Sequence, residues 1–423
     1  MKTALRLSPI LIIYVVLILA YAVGGHDLRV DETRYVALAE AFAAGKSSIG
    51  AGLDLWSGPG YPVALLPFAK FNLPWTLARF VNAILVFLAA LYFYRTLRLY
   101  ASSRVAYVGA YVVGLYPPVL ELAPRLMTEP MAIFLACGFM YHFCLGVRTD
   151  AGGKRHVAGA ALYLGYLALT RVIFGYVIAA CLVGFLLRLA WKRRRADLKG
   201  AVLCCLALAA TSPYLVHTHS VTGRVFYWGS SGGLSLYWMS SPHKGEYGDF
   251  LAPAKSWLRR PADASVPGRA DRHREFLDQV QKLDPVQRDD ALKRRALENI
   301  RAHPGKFLLN WLANIGRLFL NYPFSYAGMK PSTLLYLVPG APLLLACLLC
   351  IYRSYVRRIS VPPEVSGLGM IAIFYLAASS VVSAYGRMLF PVLPLLVLWL
   401  GFALSSLAGG RLMRGGGSVG EKT

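Results

Sequence analysis

Residues 8–35 read SPILIIYVVLILAYAVGGHDLRVDETRY, an apolar run that ends at two glycines and is followed by a pair of acids. The run Ile10–Val23 contains no charged side chain. A helix of roughly 20 apolar residues is long enough to cross the hydrocarbon core of a bilayer. The stretch therefore predicts a membrane-spanning helix that places Asp31-Glu32 at the membrane surface.

Similar apolar runs recur through the rest of the chain. Of its 423 residues, 57% are hydrophobic and the mean hydropathy is +0.49, whereas soluble domains are about 45–50% apolar. The start Met1–Arg6 lacks a small-residue cleavage site, which favours a retained first helix over a signal peptide. We predict an all-α polytopic membrane protein of about ten transmembrane helices, at about 8–24, 76–98, 104–122, 126–146, 157–171, 172–190, 199–217, 332–352, 366–383 and 388–407.

Basic residues in the short loops predict the orientation, because Lys and Arg collect on the cytoplasmic side. They follow the second, fourth, sixth and eighth predicted spans, so the N-terminus is expected inside and Asp31 outside. The net charge of +24 is accounted for by these loops and by anionic headgroups. It does not indicate a nucleic-acid partner. The basic residues are Arg95, Arg98, Arg104, Arg148, Lys154, Arg155, Lys192, Arg193, Arg194, Arg195, Arg353, Arg357 and Arg358.

Two large outer segments are expected. The first, 25–75, should hold two amphipathic surface helices, one starting at Asp31-Glu32 and one over Val63–Phe71. The second, 218–305, carries ten of the 21 acids, and Asp284-Pro285 there predicts a helix start. The predicted units are therefore 1–217, 218–305, 306–408 and a disordered Gly-rich tail, 409–423.

Residues 306–322 are apolar enough to span, but a further span would place Arg353, Arg357 and Arg358 outside. We therefore predict a helix lying along the outer leaflet, with Trp311, Arg317 and Tyr322 as surface anchors. The alternative has eleven spans.

The acids at the predicted outer face are candidate catalytic groups. A hydroxyl or amine that attacks an anomeric carbon must lose a proton, and a nearby carboxylate is the natural base. Asp31, Glu32 and Glu129 are the candidates. A solvated loop acid is the alternative for Asp31 and Glu32, and a simple ion pair is the alternative for Glu129. Thr128 beside Glu129 is expected to cap the helix that begins at Pro130.

Outward-side arginines are candidate phosphate ligands. Arg34, Arg171 and Arg387 could bind a phosphate through two parallel hydrogen bonds, or could snorkel to headgroups. The loop Trp56–Pro62 is rich in Gly and Pro, which predicts a tightly turned loop. It is either a simple turn or a rigid floor under the substrate, with Tyr61 available to stack on a sugar. Tyr35 and Arg125 complete the predicted substrate-binding set.

Few residues of the chain suggest a metal site, and none suggest disulfide bonds. His217 and His219 could bind a divalent metal with Asp31 or Glu129, but histidines at helix ends are more often solvated. The seven cysteines all lie in apolar segments, so neither disulfides nor a thiolate metal site are predicted.

Taken in order, these segments resemble the GT-C fold glycosyltransferases that use polyprenyl-phosphate sugars. They are most similar to the bacterial branch of lipid A aminoarabinose transferases and protein O-mannosyltransferases. The resemblance extends over most of residues 1–400. Two family positions differ, since Ser57-Gly58-Pro59 stands where Lys-Pro-Pro is frequent and His217-Thr218 where Arg-Asn is frequent. The matching segments are Asp31–Tyr35, Arg125–Pro130, Leu169–Arg171, His303–Phe307 and Tyr385–Arg387 with Pro391 and Pro394.

The resemblance implies an inverting transfer of a sugar from a polyprenyl-monophosphate donor to a cell-envelope lipid, glycan or protein. It implies that Asp31 is the base, that Glu129 supports the substrates, and that His217 joins the arginines at the donor phosphate. It places the protein in the bacterial cytoplasmic membrane with its site facing the periplasm. The alternatives are a transporter or flippase for a lipid-linked sugar, and an oligosaccharide polymerase or ligase with a diphosphate donor.

Overall fold

The protein is all-helical in a computed structural model, which describes residues 2–47, 55–149, 153–250, 269–325, 328–329 and 331–415. These residues form seventeen α-helices and a short 3₁₀ helix, Gly386–Leu389, with no strand among them. Seven helices are long and apolar enough to cross a membrane, which makes this a multi-pass membrane protein. These are α1 (Lys2–Val23), α4 (Trp75–Leu97), α7 (Thr128–Arg148), α9 (Ile173–Lys192), α10 (Arg195–Thr222), α15 (Pro331–Val356) and α16 (Pro363–Val381).

The other three predicted spans are helical as well, but two of them are interrupted. α8 (Gly153–Thr170) is continuous. The third predicted span is split into α5 (Ser103–Gly114) and α6 (Pro117–Leu122), because the two prolines after Tyr116 supply no backbone N–H. The tenth begins with the 3₁₀ turn before α17 (Leu393–Gly415), which runs past the expected tail start at 409. Residues 416–423 lie outside the described part.

The bundle is organised around α7, the most enclosed of the candidate spans, with 72% of its apolar window buried. It packs between α4 and α8. Gly138 permits the close approach to α8, since a Cβ there would meet the Tyr163 ring at 2.4 Å. The first turn of α7 carries Glu129, so this central helix fixes one acid at the predicted outer end.

Two surface helices follow α1, as predicted. α2 (Val30–Ala43) and α3 (Gly60–Lys70) pack on each other, and α3 also packs on α8. Both backbone N–H groups that bind Glu32 hold α2 in place: Arg29 N lies 3.1 Å and Leu126 N 2.9 Å from its carboxylate oxygens. The start of α2 is thereby attached to the loop before α7.

The described residues of the predicted second outer segment form a small helical unit with its own apolar core. It contains α11 (Gly232–Met239), α12 (Arg269–Gln281) and α13 (Pro285–Ala302). The predicted helix start is correct, since the Asp284 carboxylate accepts from Val286 N at 2.9 Å and Gln287 N at 3.0 Å. The core consists of Leu234, Tyr237, Trp238, Leu277, Val280, Leu292 and Ala296.

The predicted surface helix is α14 (Pro304–Leu320), and its polar face is turned into the protein. Arg317 was expected at the membrane surface, but it is fully buried. Its Nη1 donates to the carbonyls of Tyr247 at 2.8 Å and Pro323 at 3.1 Å, and these bonds compensate the loss of hydration. Trp311 also points inward, and its Nε1 donates to Ser380 Oγ at 3.1 Å.

Candidate functional site

Five charged side chains from four segments meet at the predicted outer end of the bundle, and we call them the acid–arginine cluster: Asp31, Arg34, Glu129, Arg171 and Arg387. Arg387 Nη1 lies 2.8 Å from Asp31 Oδ2 and 3.8 Å from Glu129 Oε1. Arg171 Nη2 lies 2.7 Å from the same Glu129 oxygen. The cluster contains three guanidiniums and two carboxylates, so an added anion would find a net positive site.

The two acids of the cluster differ in accessibility. The Glu129 side chain is 0% exposed and the Asp31 side chain is 29% exposed. Asp31 is also held by Arg34, whose Nη1 is 3.5 Å from Oδ1 and whose guanidinium lies over the Trp56 ring. An approaching molecule can therefore reach Asp31, whereas Glu129 is enclosed inside the cluster.

The charge balance shifts the pKa values of Arg387 and Arg171, which are both half-buried. Burial works to lower the pKa of Arg387, but the carboxylates of Asp31 and Glu129 outweigh it and raise that pKa above its usual range. At Arg171, burial is likewise outweighed by Glu129, and the pKa is raised. Both guanidiniums thus remain charged, as phosphate binding requires.

Glu32, the other acid of the opening pair, points away from the cluster. Its side chain is fully buried, and both oxygens accept backbone N–H groups as described above. The structure does not bring Glu32 to the accessible surface beside Asp31. Its contacts are those of a residue that positions α2, and we assign it that role.

Tyr35 and Tyr61 lie beneath the cluster and contact each other edge to face, with ring centroids 5.4 Å apart. Tyr35 is 8% and Tyr61 2% exposed, so neither ring faces an open cleft. Burial, followed by the negative charges of Asp31 and Glu129, raises the pKa of Tyr35. Tyr61 supports α2 in this arrangement, instead of offering a face for a sugar to stack on.

The glycines of the Trp56–Pro62 loop allow it to contact the turn that carries Arg171. A Cβ on Gly58 would lie 2.0 Å from the Leu169 carbonyl oxygen, and one on Gly60 would lie 2.6 Å from Thr170 Oγ1. Tyr166 OH donates to the Gly60 carbonyl at 2.8 Å. The loop is therefore a rigid support for the α8–α9 turn.

Arg125 and Thr128 lie beside the cluster, and the Thr128 hydroxyl donates to Glu129 Oε2 at 3.5 Å. Arg125 Nη2 is 3.5 Å from Glu121 Oε1, whereas Glu129 pairs with Arg171. Thr128 was expected to cap a helix starting at Pro130. Instead, Thr128 is the first residue of α7, and its N-cap is Met127 without a side-chain cap bond.

The two candidate histidine ligands are not part of the cluster. His217 is half-buried and His219 exposed near the end of α10. Within the described ranges, no hydrogen bond or ion pair joins either imidazole to the cluster, and no three His, Cys, Asp or Glu side chains are grouped to hold a metal. The two acids that were expected to complete the metal site, Asp31 and Glu129, both face the Arg387 guanidinium instead.

Asn82 is a buried polar residue in this region that the sequence analysis did not select. It lies on α4 and its Nδ2 donates to the Arg125 carbonyl at 2.8 Å, while Tyr61 OH lies 3.4 Å from its Oδ1. It thereby joins α3 to the loop before α7. An amide inside an apolar span is the signal that would have identified it.

The chain is similar to solved structures of two proteins. One is the oligosaccharyltransferase AglB from Archaeoglobus fulgidus, in complex with an inhibitory peptide and a dolichol-phosphate, at a TM-score of 0.48 and 14% identity over 93% of this chain and 48% of that chain. The other is ArnT from Cupriavidus metallidurans bound to undecaprenyl phosphate, at a TM-score of 0.36 and 15% identity over 95% of this chain and 79% of that chain. No protein-family model and no curated protein matches the sequence.

This chain spans about half the length of the archaeal oligosaccharyltransferase.

Proposed function

We propose that this protein is an inverting glycosyltransferase of GT-C type. It moves a sugar from a polyprenyl-monophosphate donor to a lipid, glycan or protein of the cell envelope, at the outer face of a bacterial cytoplasmic membrane. The observation that carries the proposal is the acid–arginine cluster. In it, the partly exposed Asp31 carboxylate lies beside the guanidiniums of Arg387 and Arg34.

Each part of the cluster has a chemical task in this proposal. Asp31 accepts the proton of the acceptor nucleophile as it attacks the anomeric carbon. Arg387 and Arg171 pair with the donor phosphate, which departs from the opposite face of that carbon as its negative charge grows. Stabilisation of the leaving charge by fixed cations lowers the barrier without a separate acid. His217 lies away from these groups, and the proposal leaves it out of the phosphate site.

Glu129 acts indirectly in this scheme. It is buried and in contact with both Arg171 and Arg387, so it holds the two guanidiniums side by side. Arg34 aligns Asp31 from the other side, and Trp56 supports Arg34. The outer helical unit α11–α13 covers this end of the bundle and is proposed to select the acceptor.

The first test is release of free polyprenyl phosphate by purified protein, followed by mass spectrometry. The panel contains polyprenyl-monophosphate sugars and matching diphosphate-linked sugars, with a cell-envelope extract as acceptor. Asp31→Asn preserves the shape of the side chain but removes the base and one of the two acceptor oxygens that face Arg34 and Arg387. We expect a loss of at least about 100-fold in turnover, the lower range for general base catalysis.

Asp27→Asn is the matched control, since Asp27 is an exposed acid in the same loop. It should retain wild-type turnover. An Asp31→Asn protein that folds and keeps full activity would falsify the assignment of the base. Release from diphosphate donors alone would instead establish the polymerase or ligase alternative.

A further inference from the structure

A buried arginine on α4 has no hydrogen-bond or ion-pair partner in the described part of the chain. Arg79 is 7% exposed, and its Nε is fully enclosed without an acceptor. Its guanidinium lies over the Tyr21 ring, 5.0 Å from the ring centroid. The Nε atoms of Arg171 and Arg317 also lack an acceptor among the described residues, but there the Nη groups are held by a carboxylate and by carbonyl groups, whereas no such bond from a described residue holds Arg79.

A second unsatisfied donor lies next to Arg79. The hydroxyl of Tyr21, near the end of α1, is also enclosed without a hydrogen-bond partner in the described residues. The His26 imidazole packs on the same tyrosine, with ring centroids 4.5 Å apart. Three side chains that can donate hydrogen bonds therefore converge where the outer ends of α1 and α4 pack together.

Burial of a guanidinium N–H without an acceptor is costly, since the hydration of that N–H is lost and nothing replaces it. Proteins usually pair such groups or use them to hold a ligand. The complementary ligand is an anion with several acceptor oxygens, because Arg79 and Tyr21 OH both donate. A phosphate group fits this requirement better than a carboxylate, which has two oxygens instead of three or four.

The position of the site favours a phosphate that belongs to a lipid. Arg79 lies one turn inside α4, which is a candidate membrane span. Leu77, Val81 and Ile84 are exposed on the same helix, as is Leu19 on α1. A phosphate seated at Arg79 would therefore have its hydrocarbon tail beside an apolar surface.

We propose that Arg79 and Tyr21, with His26 at the rim, bind the phosphate of a membrane lipid at the outer leaflet. This site is separate from the acid–arginine cluster, because no hydrogen bond or ion pair between described residues links Arg79 to it. The proposal does not depend on the glycosyltransferase assignment. The phosphate belongs to a phospholipid headgroup or to a polyprenyl phosphate, and the test distinguishes the two.

The experiment measures lipid binding to the full chain in detergent, with native mass spectrometry for stoichiometry and thermophoresis for Kd. The probes are phosphatidic acid, undecaprenyl phosphate, undecaprenol without phosphate, and inorganic phosphate. All variants are made in an Arg387→Gln background, which removes a phosphate ligand of the cluster. Failure of this proposal and failure of the proposed function are thereby distinguishable.

Arg79→Gln should weaken binding of the phosphate lipids at least about tenfold, since it removes a charge-assisted hydrogen-bond donor. Tyr21→Phe keeps the stacked ring and should cause a smaller loss, of about threefold. Arg6→Gln is the control, since Arg6 also lies over a tyrosine ring, Tyr107, near the other end of α1. It should not change the affinity.

The measured Kd values distinguish the two lipid sources and can overturn the proposal. Equal Arg79-dependent binding of both phosphate lipids indicates a headgroup site, and selective binding of undecaprenyl phosphate indicates a carrier-lipid site. Competition by inorganic phosphate at similar affinity shows that the phosphate alone suffices, which also supports the site. Unchanged Kd values in Arg79→Gln and Tyr21→Phe, or equal binding of undecaprenol, would overturn it.

Discussion

At the scale of single residues, Arg387 has a position that no other side chain in the cluster shares. One of its nitrogens faces both Asp31 and Glu129, at 2.8 and 3.8 Å. The first of these acids is accessible and the second is buried. A planar guanidinium can serve both and still present further N–H groups to a phosphate, whereas a lysine ammonium is a single point of charge.

This geometry predicts that Arg387→Lys is not a conservative change. We expect the KM for the lipid-phosphate donor to rise about tenfold, which corresponds to about 1.4 kcal/mol of lost binding. The melting temperature should change little, since the positive charge beside Glu129 is kept. Steady-state kinetics with varied donor measure the effect.

Arg301→Lys, at an exposed position on α13, is the control for this substitution and should leave KM unchanged. An Arg387→Lys enzyme with wild-type KM would show that the donor phosphate does not contact this side chain.

At the scale of elements, the loop 55–60 and the α8–α9 turn form one rigid unit. Gly58 contacts the Leu169 carbonyl so closely that no side chain fits between them. Arg171 follows directly in that turn, so any displacement there moves a guanidinium of the cluster.

Gly58→Ala should therefore lower both stability and activity. Overpacking of a filled site costs about 1–3 kcal/mol, and we expect a matching decrease in the free energy of unfolding measured in detergent. Turnover should fall with it, because Arg171 is displaced from Glu129.

Gly369→Ala on α16 is the matched control, since a Cβ there meets nothing within 4 Å. It should leave both quantities as in the wild type. Equal behaviour of the two variants would mean that the loop adapts without moving the turn.

Another element, α14, positions the end of the chain that carries Arg387. Asn314 is fully buried, and its Nδ2 donates to the carbonyls of Ser380 and Val382, both at 2.7 Å. Its Oδ1 accepts from Ala384 N at 2.9 Å. Asn321 Oδ1 accepts from Gly386 N at 3.2 Å. The polar side of α14 therefore binds the backbone that leads to the 3₁₀ helix.

At the scale of the whole molecule, the predicted orientation is open to a direct test. Lys282, between α12 and α13, and Arg357, after α15, are both exposed. The basic loops place Arg357 inside, and an α14 that lies on the surface keeps Lys282 outside. The topology thus predicts that the two positions are on opposite sides of the membrane.

Single cysteines at these positions, in a background without the seven native cysteines, allow the measurement in intact cells. Lys282→Cys should react with a membrane-impermeant maleimide, and Arg357→Cys should react only after permeabilisation. Labelling of both from outside would mean that α14 crosses the membrane.

The sequence predicts the helices well and the polar contacts less well. Apolar runs determine where spans occur, and Asp284-Pro285 marks the start of α13 because capping is a local effect. The inward turn of Arg317 depends on carbonyls of distant segments, at Tyr247 and Pro323. Nothing in the neighbouring sequence indicates such partners.

The same distinction applies to the cluster. The order of the motifs selected Asp31, Glu129, Arg171 and Arg387, which the structure brings together. It did not distinguish Glu32 from Asp31, because adjacent residues on a helix point in different directions only once the helix is placed against the loop at Leu126.

The ion pair between Asp31 and Arg387 joins residues near opposite ends of the polypeptide, and this has a consequence for biosynthesis. Translation proceeds at about 5–20 residues per second, so Asp31 emerges many seconds before its partner exists. Glu129 and Arg171 can pair in that interval, and Asp31 can pair with its helical neighbour Arg34. A chain that ends anywhere before Arg387 would thus lack the contact that joins Asp31 to the 3₁₀ helix.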